Sequence, residues 1–279
     1  MSSTNNIYIL GIDIGSTTVK SAIIDEQNSL LFSDYRRHFA NIQGTLADIL
    51  SKAQKQLGSI NIVPMVTGSG GLNLAKHLDA VFVQEVVSVA TALKYFAPQT
   101  DVAIELGGED AKIIYFTGGI DQRMNGICAG GTGSFIDQMA SLLQTDAPGL
   151  NEYARDYKAI YPIAARCGVF AKSDIQPLIN EGATRQDLAA SIFQAVVNQT
   201  ISGLACGKPI RGHVAFLGGP LHFLSELRAA FIRTLKLEGE YIVAPENSHL
   251  FAAIGAAMNC EKLNAMQLDS LINKLRNGV

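Results

Sequence analysis

The chain has 279 residues, 48% of them hydrophobic and 17% charged, with a net charge of −3. That length accommodates two domains with cores of their own, and the mixed charge gives no basic footprint for nucleic acid. No apolar run approaches the roughly 20 residues that cross a bilayer, so neither a membrane protein nor a disordered chain is expected.

Met1 to Gly15 reads as a polar tail running into a strand, without the basic and apolar regions of a signal peptide, and a cytoplasmic protein is expected. Next comes an internal repeat. Gly11-Ile12-Asp13-Ile14-Gly15-Ser16-Thr17-Thr18-Val19-Lys20 and Ala103-Ile104-Glu105-Leu106-Gly107-Gly108-Glu109-Asp110-Ala111-Lys112 align with acid, glycine and lysine at one constant offset. Each copy predicts a hairpin with a carboxylate at the strand end, a glycine turn and a second apolar strand, Val19–Ile24 or Ala111–Phe116. After the first copy, periodicity predicts a strand at Leu30–Arg37, a helix near Gly44–Leu57, a strand at Asn61–Thr67 and a helix at Val86–Phe96. Pro98-Gln99-Thr100 marks a boundary before the second copy. Beyond it the pattern predicts helices near Thr132–Leu143, Ser173–Asn180 and Arg185–Leu204, then a strand at His213–Leu217 and a helix at Leu221–Leu235. Helical patterns at Leu250–Ala257 and Ala265–Leu275 close the chain. The expectation is an α/β protein of two related lobes, 1–98 and 99–279, with the last helix able to pack back on the first lobe and a cleft between the lobes.

Three glycine turns carry candidate chemistry. Asp13 is followed by Gly15, where backbone N–H groups can approach a phosphate, and by the hydroxyls of Ser16, Thr17 and Thr18. Gly107-Gly108 repeats this with more charge, from Glu105, Glu109 and Asp110, which suits the water shell of a metal. Gly218-Gly219-Pro220 follows a strand and opens a helix, so backbone can lie flat against a ligand ring. Each turn alone also reads as a tight turn that needs small residues. Neither a P-loop nor a dinucleotide-binding glycine pattern is present.

These turns resemble the phosphate-1, phosphate-2 and adenosine motifs of the acetate and sugar kinase, heat-shock chaperone and actin superfamily. More specifically, the segments Asn125 to Ile136, with Cys128, and Arg166 to Asp174, with Cys167, are similar to the cysteine segments of 2-hydroxyacyl-CoA dehydratase activators. Those belong, with benzoyl-CoA reductase ATPase subunits, to the BadF/BadG/BcrA/BcrD type of ATPase. The resemblance runs from about Ile7 to Met258, and the chain departs from the family's second phosphate motif by carrying Glu105 and Glu109. It implies two ribonuclease H-like, actin-like ATPase lobes around ATP or ADP and Mg²⁺. Asp13 would hold the metal's water shell, Gly15 to Thr18 the phosphates, and Glu105 and Asp110 would orient metal and attacking water. Gly107 and Gly108 would bind the nucleotide through the metal's water shell, Gly131, Thr132 and Gly133 would sense phosphate, and Gly218, Gly219 and Pro220 would border adenosine.

Cys128 and Cys167 both precede expected helix starts, where the dipole favours a thiolate, but composition alone favours reading them as buried small hydrophobes. The resemblance implies a 4Fe-4S cluster, and since a cubane takes about four thiolates, two protomers would share one across a homodimer. Cys206 and Cys260 read as packing residues, Lys20 and Lys112 as solvated strand residues or phosphate contacts, and His222 as a neighbour of the nucleotide at most. The implied activity is ATP-driven electron transfer from a ferredoxin- or flavodoxin-type donor to a dehydratase or reductase acting on an acyl-CoA. A small-molecule kinase on the same fold, or a non-catalytic nucleotide-dependent module, are the alternatives.

Overall fold

The computed structural model describes residues 7–125, 130–165, 168–261 and 264–277. The chain forms two units, Met1–Pro98 with Leu250–Val279, and Gln99–His249.

In the first unit β1 (Ile7–Ile14), β2 (Thr18–Ile24) and β3 (Leu30–Arg37) make an antiparallel meander. The helix α1 (Ile42–Leu57) follows, capped by the Asn41 side chain, which accepts from the Gly44 N–H. β4 (Asn61–Thr67) then lies parallel to β1. α2 (Gly71–Leu78), the two-residue β5 (Val81–Phe82), parallel to β4, and α3 (Glu85–Phe96) complete this stretch. β1 and β2 are apolar on both faces because both faces are covered.

The second unit repeats the topology. β6 (Val102–Leu106), β7 (Ala111–Tyr115) and β8 (Asp121–Met124) form the meander. α4 (Gly133–Leu142), α5 (Ala147–Tyr153), α6 (Gly168–Asn180) and α7 (Arg185–Thr200) follow, in the place that α1 holds in the first unit. β9 (Val214–Leu217) runs parallel to β6, and α8 (Gly219–Phe223), α9 (Ser225–Leu235) and β10 (Ile242–Val243) end the unit. The order β10-β9-β6-β7-β8 matches β5-β4-β1-β2-β3 strand for strand.

The second unit closes at His249, not at the end of the chain as the range 99–279 had it. α10 (Phe251–Met258), β11 (Met266–Gln267) and α11 (Leu268–Arg276) return to the first unit. β11 pairs antiparallel with the start of β4. α11 buries Leu268, Leu271, Ile272 and Leu275 with Leu46, Ile49 and Leu50 of α1, on the sheet face of Leu10 and Ile12. Burial of each such side chain is worth about 1.5–3 kcal/mol, which ties the segment to this unit. α10 covers the opposite face, where Gly11 lets the Ala253 carbonyl ride directly over β1.

Two further expectations are corrected. The helix placed at Leu221–Leu235 is broken at Leu224, whose extended backbone (ψ 90°) separates α8 from α9. The 21-residue helical run Arg185–Ala205, α7 with its π turn, is long and apolar enough to cross a membrane, with mean hydropathy 1.2. Two-thirds of it is buried within the unit, so its apolar character is that of a core helix.

Candidate functional site

In the first unit Asp13, near the end of β1, lies in register with Lys20 on β2 and Thr67 on β4. Asp13 is 1% exposed, and a buried charge needs a partner. Lys20 supplies it, Nζ to Oδ2 at 2.7 Å, so this lysine is neither a solvated strand residue nor free for phosphate. Burial alone would lower the Lys20 pKa, but the adjoining Asp13 carboxylate outweighs it and lifts the ammonium above the ordinary lysine range. Asp13 Oδ1 is buried with no hydrogen-bond partner.

The Gly15–Thr17 turn is closed by the Gly15 N–H, which donates to the Thr18 carbonyl at 2.9 Å. His38 holds it from outside: its N–H donates to the Thr17 carbonyl and its Nε2 lies 3.2 Å from the Gly15 carbonyl. Gly15, Ser16 and Thr17 are half-buried, whereas Thr18 is turned into the sheet at 5% exposure. Directly over Asp13 passes Gly68, with φ +91°; a Cβ there would stand 2.3 Å from Asp13 Oδ1 and 2.4 Å from the Ile14 carbonyl oxygen. Sequence reasoning passed over Gly68-Ser69-Gly70-Gly71, although a glycine-rich exit from an apolar strand was the same signal that singled out Gly218-Gly219.

The second unit repeats the construction. Glu105 is in register with Lys112 on β7 and Leu217 on β9. Lys112 Nζ stands 3.9 Å from Glu105 Oε2, an atom that is itself buried and makes no hydrogen bond. The Gly107 N–H donates to the Asp110 carbonyl at 2.7 Å, which closes the turn. The start of α4 is fastened to that turn: the N–H groups of Gly133 and Ser134 donate to the carbonyls of Gly107 and Gly108, at 3.0 and 2.7 Å. A Cβ on Gly133 would lie 3.0 Å from the Gly107 oxygen and 3.4 Å from Pro220 Cγ. Thr132 is fully buried, and Gly131, with φ +79°, lies against Gln199. Gly218 adopts φ +86°, and a Cβ there would fall 2.1 Å from the Leu106 carbonyl oxygen, so glycine is obligatory. Glu105, Gly107, Gly108, Asp110, Gly131–Gly133 and Gly218–Pro220 are therefore brought together at one end of the second sheet.

Residues 10–259 match the model of the BadF/BadG/BcrA/BcrD ATPase family. The chain belongs to this family. The activator of the 2-hydroxyisocaproyl-CoA dehydratase from Clostridium difficile, solved with bound ADPNP, matches it with a TM-score of 0.80 and 27% identity, covering 98% of both chains. The (R)-2-hydroxyglutaryl-CoA dehydratase activating ATPase of Acidaminococcus fermentans is 28% identical across 77% of this chain and 83% of its own. The activator of lactoyl-CoA dehydratase from Anaerotignum propionicum is 29% identical across 90% of this chain and 96% of its own. The fold is the α/β, actin-like ATPase fold that the resemblance implied.

In this BadF/BadG/BcrA/BcrD ATPase, Cys128 and Cys167 lie outside the described residues. What flanks the first of them is described, and both flanks end on the same turn. Asn125 accepts from the Ala111 N–H at 2.7 Å and donates from Nδ2 to the Glu109 carbonyl at 3.0 Å, while Gly133 and Ser134 bond Gly107 and Gly108 from the other side. α6 begins at Gly168, immediately after Cys167. Cys206 is not a packing residue: it ends the π turn in a left-handed conformation (φ 46°) and is exposed. Cys260 is half-buried. His222 packs on the His249 ring at 3.9 Å and its Nδ1 lies 3.0 Å from Ser248 Oγ. Burial, and after it the Arg228 guanidinium, hold its pKa below the ordinary histidine range.

Proposed function

We propose that this protein is an ATP-hydrolysing activator that delivers an electron from a 4Fe-4S cluster to a partner (R)-2-hydroxyacyl-CoA dehydratase or related acyl-CoA reductase. The observation that carries the nucleotide half is the pair of acid-lysine strand ends, Asp13 with Lys20 and Glu105 with Lys112, each at a glycine turn. The relative solved with ADPNP supports the same reading.

Asp13 fits a hydrated Mg²⁺, since that ion keeps several waters and takes one or two carboxylates plus phosphate oxygens. Lys20 occupies Oδ2, and Oδ1 is the unsatisfied acceptor left for such a shell. Gly15, Ser16, Thr17 and Thr18 are assigned to the phosphates, with Ser16 and Thr17 the hydroxyls nearer solvent. Glu105 and Asp110 are assigned to orienting metal and water, Gly107 and Gly108 to the turn that borders the metal's water shell, Gly131, Thr132 and Gly133 to sensing phosphate, and Gly218, Gly219 and Pro220 to bordering adenosine. When bound, the cluster supplies the one-electron reductant. Cys128 and Cys167 are assigned as its ligands, two from each protomer of a homodimer. The hydrogen bonds from both flanks of the Cys128 segment to the 107–111 turn support coupling, because a nucleotide that moves the turn pulls on that segment. A cytoplasmic setting with a ferredoxin- or flavodoxin-type donor completes the reading.

The test is hydrolysis of MgATP by the purified protein and by Asp13→Asn. Loss of turnover with an unchanged circular dichroism spectrum supports the assignment; undiminished hydrolysis in the variant refutes it.

A further inference from the structure

We propose that Gly68-Ser69-Gly70-Gly71, with the first turn of α2, is a second phosphate-contact loop in the Asp13 site, holding a phosphoryl oxygen of the magnesium nucleotide; this rests on the ATP reading above.

The first argument is pseudo-symmetry within the fold. In each unit the strand parallel to the acid-bearing strand pairs its last residue with the acid, Thr67 with Asp13 and Leu217 with Glu105. The next residue is a left-handed glycine, Gly68 at φ +91° and Gly218 at φ +86°. The Cβ that each lacks would overlap the carbonyl oxygen after the acid, 2.4 Å from that of Ile14 and 2.1 Å from that of Leu106. The duplication therefore gives the first unit its own copy of the glycine exit turn.

Both copies open a helix with no side-chain cap and no acid in its first turn, and the copy in the first unit differs in being open to solvent. Ser69 and Gly70 are exposed. Gly70, the N-cap of the eight-residue α2, provides no side-chain cap, and no acidic residue stands in the first turn. Within the turn the Gly70 N–H donates to the Ile14 carbonyl at 2.9 Å and the Gly71 N–H to the Gly68 carbonyl at 3.0 Å, so the N–H groups left to face an anion are those of Ser69 and, in the first turn of α2, Leu72 and Asn73, where the dipole favours one.

The second, independent observation is Asp13 Oδ1: buried, without a partner, and directly beneath Gly68. Whatever satisfies that oxygen is bounded by the turn. The two features together fix the ligand class. A free anion at the start of α2 would be repelled by the carboxylate below it, whereas a phosphate bridged by a divalent cation satisfies both, the cation shell at Oδ1 and the phosphoryl oxygen at the N–H groups. MgATP is thus the ligand, and metal-free ATP is a poor one.

The experiment is calorimetric titration of the full chain with MgATP, and with ATP plus EDTA, for wild type, Ser69→Asp and Ser69→Asn. Ser69 is exposed, and an acid at that position complements the start of α2, so Ser69→Asp keeps its nucleotide-free Tm. Its MgATP affinity falls by about tenfold or more, from like-charge contact and loss of a charge-assisted hydrogen bond, while the neutral Ser69→Asn stays within about threefold of wild type. Wild-type MgATP affinity in Ser69→Asp, or equal losses in both variants, overturns this inference alone. No MgATP binding by the unmodified protein overturns the functional reading and this inference with it.

Discussion

Replacing Gly255 by alanine sets two rules of protein stability against each other at a single site. Gly255 lies inside α10, where alanine is favoured over glycine by about 0.5–1 kcal/mol on helix propensity. Its missing Cβ, however, would stand 1.7 Å from the Ser88 carbonyl oxygen and 2.5 Å from the Ser88 carbonyl carbon of α3. The obstacle is backbone, which cannot swing aside as a long side chain can. On the other side α10 is pressed against β1, where the Ala253 oxygen lies 1.8 Å from the position of a Cβ on Gly11. The helix has no free direction in which to retreat. Overpacking of this kind costs roughly 1–3 kcal/mol, so after the propensity gain the expected net loss is about 1–2 kcal/mol. At roughly 2–4 °C per kcal/mol for chains of this size, Tm falls by about 2–8 °C. Differential scanning calorimetry of the two purified proteins measures it. A Tm that is unchanged or raised would mean that the contact between α10 and α3 does not exist as described, and with it the return of the chain's end to the first unit.

The Asp13–Lys20 pair gives a second stability prediction. Lys20→Met leaves a buried carboxylate without its counter-charge and lowers stability by about 3–5 kcal/mol, while Asp13→Asn in the Lys20→Met background recovers most of that loss. Equal stability of the single and double variants in urea unfolding would contradict the pairing. Asp187 gives a pH dependence. Its carboxylate accepts from the N–H groups of Lys158 and Ala159, at 2.6 and 2.8 Å, and from the Thr184 hydroxyl, which together hold its pKa below the usual carboxylate range. Because the folded value is depressed, this stabilisation is fully present above the unfolded value of about 3.9 and is lost as pH falls through the folded one. Asp187→Asn should therefore lower Tm at neutral pH and flatten its decline below about pH 4; parallel Tm curves for the two proteins would refute it.

The legible part of the fold was the part written twice. Strands β3 and β4 begin and end where periodicity placed them, and the repeated hairpin foretold that both units share one topology. The elements that were missed are α2, β5, β8, α5, β10 and β11. All are short, and β5 and β11 are two-residue pairings that exist only because β4 is already in place. The destination of the last segment was open for a different reason. α10 is small and apolar all round, which announces burial without saying against what; the answer lies in Gly11 and Gly255, isolated glycines whose contacts are far away in sequence. At the site, the acids and glycine turns were visible as a pattern, but the lysines were misjudged. A lysine on a strand looks solvated until the register sets it opposite a buried carboxylate, as for Lys20 and Asp13. Gly68 escaped because its role is defined by the atom beneath it.

Cys128 and Cys167 of two protomers are proposed to hold one electron-delivering cluster, and iron content is the direct measure of it. Iron and acid-labile sulfide are to be counted per chain after anaerobic reconstitution of wild type, Cys128→Ser, Cys167→Ser and Cys206→Ser. The expected result is about two irons per chain, four per dimer, lost in the first two variants and kept in the third. Equal iron in all four proteins, or none in wild type, would contradict the account.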